Sequence, residues 1–458
     1  NDSTGRGVIE VVEGENVGSA GSTLILGGGG TYSYNGYMRD RWNGTSGALS
    51  LSKTGSGTQT LAGGNITYTG ETSVTGGRLV ITSPHTFQSA LTTVGSGAVV
   101  ELQASGNGDL RGNTAYAGDG LLLKTGTGSL KCGVSAGTLT ANLSPGGVLD
   151  VQEGDLNIGW AKGFQANNYG GLNIAGGASY HISDAAVQAD WLTGSGIFNN
   201  AYNNSWPVLT IGVAGTVDNA AYGVSGNTAT FSGTLGGAEV YNGVSVNSFN
   251  VVKTGGGTQV FEGNGILYTG TTGVNGGTLL VNGTHSGGGM YTVEDQATLG
   301  GNGTITAPVT VKTGGHIAPG TSPGTLAVGA LILQPDSFFD VEMSPAAWDL
   351  LVTGTVRPIL GGAELNLDIL SSFSHYQGSQ YMILQNDSTN SIGGFFAGLD
   401  EGASIEVAGA QFTITYEGGT GNDIVLTAVP EPASAVLLML AVPAVAARVR
   451  RRLRGRRS

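Results

Sequence analysis

Cutting or gripping a polysaccharide calls for carboxylates in clusters, with an arginine, a lysine or a cation beside them. The 32 Asp and Glu residues of this 458-residue chain are mostly scattered singly. Two stretches alone pack opposite charges tightly: GDLRGN, with Asp109 and Arg111, and YMRDRWNG, with Arg39, Asp40, Arg41 and Trp42. The second lies in YSYNGYMRDRW (Tyr32 to Trp42), where the rings of Tyr34, Tyr37 and Trp42 could stack on a sugar while Arg39 and Asp40 bond its hydroxyls. The competing expectation is an inserted side loop whose aromatics simply lie on the body of the protein. GGTGNDIVL, Gly418 to Leu426, fits a calcium-binding nonapeptide, G-G-x-G-x-D-x-U-x. Such sites share ligands between tandem copies and only one copy occurs, so Asp423 reads first as a turn residue opening a strand and only second as a metal ligand.

The remaining chemistry-bearing residues are dispersed. His85, His181, His285, His316 and His375 show neither His-x-His nor H-E-x-x-H spacing. Cys132 is the single cysteine, so no intramolecular disulfide forms and a small buried side chain is expected. With 83 glycines, chance matches to glycine-rich nucleotide motifs carry no meaning, and neither a nucleophile elbow nor a Walker loop stands out. No catalytic residue, cofactor or metal is expected, and the chain reads as a non-enzyme.

The scaffold that must position these residues is glycine-rich to more than twice the usual share of about 7%. Proline is scarce and no Gly-X-Y period appears, which excludes collagen. Charged residues make up 11% and apolar ones 39%, too little charge for a disordered polyelectrolyte and enough apolar surface for a narrow core. The net charge of −13 divides unevenly: residues 1–428 hold 12 basic and 31 acidic residues, a net of −19, while seven arginines crowd the last eleven positions. So acidic a body does not seek nucleic acid, whose phosphates need Lys and Arg clusters.

An internal repeat sets the architecture. LSKTGSGTQTLAGGNITYTGETSVTGGRLVI (Leu51 to Ile81) aligns without gaps to VVKTGGGTQVFEGNGILYTGTTGVNGGTLLV (Val251 to Val281), with 16 of 31 positions identical. Partial echoes recur at Leu122 to Leu130 and Val311 to Gly315, so that Lys53, Lys124, Lys253 and Lys312 each open a Lys-Thr-Gly unit. Within a unit, apolar and polar residues alternate over four or five positions and then stop at Gly or Asn, the mark of short strands. Strands this short need neighbours stacked above and below, and irregular spacing fits a solenoid better than a propeller. Coils of roughly 20 residues at about 4.8 Å spacing would give a rod on the order of 100 Å long.

The segments Lys53–Leu79 and Lys253–Leu279 resemble the autotransporter-associated β-strand repeat, K-x-G-x-G-T-L-T-L-x-G-x-N-x-Y-T-G-x-T-x-V-x-x-G-x-L. That resemblance implies a right-handed parallel β-helix, as in the passengers of autotransported surface proteins. The stretch Leu299 to Leu333, with its corner at Pro319, Gly320, Pro323 and Gly324, is similar to the end of such passengers. Residues 1–298 are therefore read as β-helix carrying the repeats, 299–428 as its C-terminal coils and cap, and 429–458 as a tail. Amphipathic strands for an outer-membrane barrel do not follow in the sequence, so another export route is implied.

That tail begins Val-Pro-Glu-Pro, continues through an apolar stretch at 433–447 and closes on arginines over 448–458. Fifteen residues of helix span about 22 Å, short of a hydrocarbon core of about 30 Å unless the arginines snorkel. A single membrane-anchor helix is expected there, its basic end cytoplasmic. Pro430, Glu431 and Pro432 with the segments behind them resemble a PEP-CTERM sorting signal. The resemblance implies an exosortase-like processing enzyme as partner, Pro430, Glu431 and Pro432 as its recognition residues, and Arg448, Arg450, Arg451 and Arg452 as the stop-transfer element. It also implies transient anchoring in the inner membrane of a Gram-negative bacterium before display at the surface or release. The function expected is an exported structural or adhesive protein of the cell surface or extracellular matrix, with polysaccharide as a possible partner. The alternatives are a β-helical polysaccharide-degrading lyase or glycosidase and a calcium-dependent self-assembling surface layer.

Overall fold

The computed structural model describes residues 7–11, 21–40, 47–110, 114–132, 140–158, 164–183, 185–200, 206–212, 214–237, 240–241, 244–245, 247–371 and 378–429. The chain is an all-β solenoid of right-handed type. Among the described residues there is no α-helix, only the 3₁₀ turns Pro84–Thr86 and Ala220–Tyr222. Two compact units emerge: Asn1–Leu299 with Thr304–Ala307, and Gly300–Gly303 with Pro308–Ser458. The anchor helix expected over 433–447 lies outside the described residues, among which no helix is long and apolar enough to cross a membrane.

In the first unit, successive coils lay short strands side by side in parallel ladders. One ladder starts at Thr31–Tyr34 and passes through Thr58–Leu61, Arg78–Ile81, Val99–Gln103, Leu121–Thr125 and Val148–Val151. A second joins Ser22–Leu26, Leu49–Lys53, Thr72–Val74, Leu91–Val94, Ala115–Gly118 and Thr140–Leu143. A third runs from Gly108–Leu110 through Ser129–Cys132, Asp155–Asn157 and Ser179–Ile182 to Ile197–Asn200. Alternation decides which side chains enter the coil, since successive Cβ atoms point to opposite faces. Leu51, Leu61, Val74, Leu79 and Ile81 are all buried inside it. The two aligned repeats keep the same register: Lys53 pairs with Val74 and Leu61 with Ile81, as Lys253 pairs with Val274 and Phe261 with Val281.

One reading of the sequence changes here. The stretch Tyr32 to Trp42 is not a side loop in its described part, because Thr31–Tyr34 enters the ladder against Thr58–Leu61 and Tyr37–Met38 pairs with Val8–Ile9. TYSY alternates in sequence as TQTL does, but its residues are exposed or half-buried where Gln59 and Leu61 are buried, and the pairing with Thr58–Leu61 holds it in register. The true excursion is the corner between Val208–Ile211 and Thr228–Phe231, where a long segment replaces the four residues that separate Lys53 from Thr58. Asp190 anchors it by accepting from the backbone N–H groups of Ala214, Thr216 and Val217 at 3.1, 2.7 and 2.6 Å. Tyr222 then folds over the outside of the coils, donating to Asp150 at 2.9 Å and setting its ring at a tilt against that of Trp191, 5.5 Å between centroids. Val148, Trp191, Val224 and Ala229 form a small apolar cluster beneath it. Because Thr228–Phe231 meets its neighbour only at Gly194, the side chain of Gln259 completes the ladder, bonding both the N–H and the carbonyl of Leu192.

The second unit begins with parallel pairs, His316–Pro319 against Phe338–Met343 against Glu364–Ile369, and Thr325–Leu333 against Leu350–Thr353. It ends differently. Gln380–Asn386, Asp423–Val429, Ala410–Gly418 and Ser404–Val407 are joined antiparallel. Two-residue loops cannot make a parallel crossover, and Ala408 and Gly409, both at positive φ (49° and 78°), form the tight hairpin that the twist of the strands favours. The cap is a four-stranded antiparallel sheet in Greek-key order, with Gln380–Asn386 beside the last strand, Asp423–Val429, rather than beside Ser404–Val407.

Candidate functional site

The repeat's lysine is the first polar residue to find a role. Lys53, Lys124 and Lys253 point into the coil at its corner and are buried. Lys53 Nζ donates to the carbonyls of Thr54, Gly55 and Gly76 at 2.8, 3.0 and 3.1 Å. Lys253 repeats this with Thr254, Gly255 and Gly276 at 2.6, 3.1 and 3.1 Å. Lys124 reaches Thr125, Gly126 and Glu153 at 3.2, 2.8 and 2.7 Å. Each ammonium thus ties its own turn to the corresponding turn of the next coil. Burial lowers the pKa of all three, that of Lys253 to about 8. They are fasteners of the scaffold.

The aromatic and charged residues singled out near the N-terminus divide in the same way. The Tyr34 hydroxyl lies within reach of the carbonyls of Gly7 and Tyr37, at 2.9 and 3.0 Å, so its ring faces the chain. Asp40 accepts from Leu49 N at 2.8 Å, from Thr69 N at 3.2 Å and from Thr69 Oγ1 at 2.6 Å, splicing two coils together. Arg39 Nε donates to Glu10 at 2.8 Å. Beside it opens a hollow of about 280 Å³ lined by Tyr37, Arg39, Asn65 and Thr67. Two of these, Asn65 and Thr67, come from the next coil, and the bridge between Met38 and Ile66 brings them there. The sequence signal for them was the repeat itself, since Asn65 and Thr67 stand in NITYTG. Tyr32, 57% exposed, is the ring that faces solvent. Trp42, Arg41 and Arg111 lie outside the described residues, as does His375.

Asp423 sits at the turn of the antiparallel cap, buried. Its Oδ1 accepts from Asn386 N at 2.8 Å and its Oδ2 from Thr420 N at 2.8 Å. Asn422 fastens the same corner by donating to Ser388 O at 2.6 Å. That geometry is a turn opening a strand. Among the described residues no group of three or more His, Cys, Asp and Glu is placed to hold a metal ion. His181 pairs with Asp155 at 3.2 Å and His316 with Asp340 at 2.7 Å, on separate ladders. His285 is buried, with Nδ1 at 2.7 Å from the Tyr291 hydroxyl and Nε2 at 3.0 Å from the Tyr268 carbonyl, and burial lowers its pKa.

A further carboxylate escaped the sequence reading. Asp349 braces the Pro319–Gly324 corner, accepting from Gly324 N at 2.7 Å and Glu342 N at 2.8 Å. Desolvation raises its pKa to about 6, against the pull of those two N–H groups.

Comparison with known proteins adds one similarity. Residues 51–81 and 251–281 match the Passenger-associated-transport-repeat family. No curated protein matches the chain. The matched repeat makes the chain similar to the passengers of autotransported, exported surface proteins. In both segments the matched residues are those that build one coil and fasten it to the next.

Proposed function

We propose that the chain is an exported, non-catalytic scaffold of passenger type, displayed at the cell surface or released into an extracellular polysaccharide matrix. The observation that carries this reading is the passenger repeat built into continuous parallel coils, with its lysine, threonine and glycine residues spent on holding coil to coil. On the same reading the tail is a sorting signal. Pro430, Glu431 and Pro432 are recognised by an exosortase-like enzyme, and the apolar stretch 433–447 with Arg448, Arg450, Arg451 and Arg452 holds the chain in the inner membrane until then. The prolines favour extended backbone that a protease can reach.

The hollow beside Tyr37 is the place for a carbohydrate contact. A neutral sugar suits it: Arg39 is already paired with Glu10, and the net −19 of residues 1–428 repels polyuronates. Mass spectrometry of the last peptide of the protein recovered outside the cells tests the sorting step. An end near Pro430–Pro432 is expected, and an intact Ser458 confined to the membrane fraction would refute release. Binding to neutral glycans should be lost in Tyr37→Ala and Asn65→Ala, and glycan binding that survives both changes would remove the hollow from the account.

A further inference from the structure

Hydroxyls sealed inside the coils of the matched repeats satisfy one another. The Tyr68 hydroxyl meets Thr72 Oγ1 at 2.6 Å, Thr72 donates to Ser89 Oγ at 2.8 Å, and Ser89 reaches the Gly70 and Leu91 carbonyls at 2.9 and 3.0 Å. In the second repeat the Tyr268 hydroxyl meets Thr272 Oγ1 at 2.5 Å, and Tyr291 and His285 close the set.

The interior column that starts at Thr72 continues in register through Thr92, Tyr116 and Ala141. Gln165 follows, since Ala141 N donates to the carbonyl of Phe164. Here the closure stops. Thr92 Oγ1, Thr114 Oγ1, the Tyr116 hydroxyl and Gln165 Nε2 are buried and have no hydrogen-bond partner among the described residues. Their residues are 0, 2, 1 and 0% exposed. Gln165 is fixed in place by the Tyr180 hydroxyl on its amide oxygen, so its N–H groups point away from that contact. Buried polar groups without partners are costly and rare in native proteins, and four across four successive coils require a common explanation. Ala141, in register between a tyrosine and a glutamine, contributes only a methyl group to this part of the interior.

We propose that the interior bounded by Thr92, Thr114, Tyr116, Ala141 and Gln165 is a sealed water site. It takes about one or two molecules, each making the usual three or so hydrogen bonds. The amide N–H groups and the phenol donate to water, and water in turn donates to the threonine hydroxyls. None of these four groups carries a charge near neutral pH, so the site suits neither a cation nor an anion, and an apolar guest would leave all four bare. Water does here what Ser89 and Tyr291, on the strands beyond the matched segments, do for Thr72 and Tyr268.

High-resolution crystallography of the full chain is the test, together with the near-isosteric double substitution Thr92→Val and Thr114→Val. The expected result is density within hydrogen-bond distance of at least two of the four groups, and a lower unfolding midpoint in the double variant, which strips the water of partners. A site empty of density, or a midpoint raised because two bare hydroxyls have been removed from a dry core, overturns the proposal. If the double variant does not fold, the density in the unaltered chain decides.

Discussion

Replacing Lys253 by methionine removes the ammonium group that donates to the carbonyls of Thr254, Gly255 and Gly276. Methionine keeps most of the stem's apolar packing and leaves three acceptors facing no donor. Each orphaned buried acceptor costs about 1–3 kcal/mol, and removing a buried charge returns part of that, so a net loss of about 2 kcal/mol is expected at pH 7. The pH dependence separates charge from packing. Burial holds Lys253 down at about 8, against an ordinary value of 10.5. Between pH 8 and 10 the unfolded chain therefore retains a proton that the folded chain has shed, and stability rises with pH. At about 1.4 kcal/mol per pH unit the rise is at most about 3 kcal/mol, and screening at the corner reduces it to about 2 kcal/mol. Urea unfolding of the unaltered chain and Lys253→Met at pH 7, 8, 9 and 10, at one ionic strength, measures the difference directly. Lys53, Lys124 and the buried tyrosines titrate alike in both proteins and cancel. The gap between the two curves should widen by about 2 kcal/mol on going to pH 10. A gap that stays constant or narrows would refute the buried-ammonium account of the repeat lysine.

The corner carboxylate gives the opposite slope. Asp349 holds its proton up to about pH 6 in the folded chain and to 3.8 otherwise, so its contribution is fully present below 3.8 and is lost as pH rises through 6; Asp349→Asn should flatten that part of the stability curve, by about 2 kcal/mol after screening. Gly277 has φ +61°, and a Cβ there would lie 2.4 Å from the carbonyls of Gly255 and Gly257. Gly277→Ala should cost about 3 kcal/mol in denaturant unfolding, whereas Gly256→Ala, with nothing within 4 Å, stays within about 0.5 kcal/mol. Asp423→Ala removes acceptors for Asn386 N and Thr420 N and should lose about 2–3 kcal/mol. Added calcium should leave the melting temperature of the unaltered chain where it is; a rise that disappears in Asp423→Ala would restore the cation reading.

The coils were legible because period-two alternation and glycine stops are local signals, and the Leu51–Ile81 and Val251–Val281 alignment showed which residues share a role. What that role was could not be read for the lysine. Its partners are main-chain carbonyls, one of them 23 residues on at Gly76, and a carbonyl carries no residue identity. The excursion that brings Tyr222 onto Asp150 and Trp191 was equally invisible, since those residues are far apart in sequence and only the stacking of coils makes them neighbours. For Tyr32 to Trp42 a side loop stayed open as an alternative because four alternating residues are too few to tell a strand from a loop until the ladder beside them is known. In the N-terminal cluster, Tyr37 and Arg39 line the hollow while Tyr34 and Asp40 serve the backbone. That division depends on Thr69 and Gly7, which sequence alone does not place beside them.

Lys53 takes one acceptor from the coil above its own, and Lys253 does the same. The fastener therefore straddles the boundary that strand pairing alone would suggest as the natural seam. Anyone lengthening or shortening this protein by whole coils should cut ahead of the Lys-Thr-Gly unit and carry the following Gly-Gly turn with it. A splice between Lys53 and Gly76 would keep every strand partner and still leave the lysine ammonium one acceptor short. Gene duplications that enlarge such proteins face the same rule, so the heritable unit is longer than one turn of the solenoid, as the 31-residue span of the aligned repeat already is.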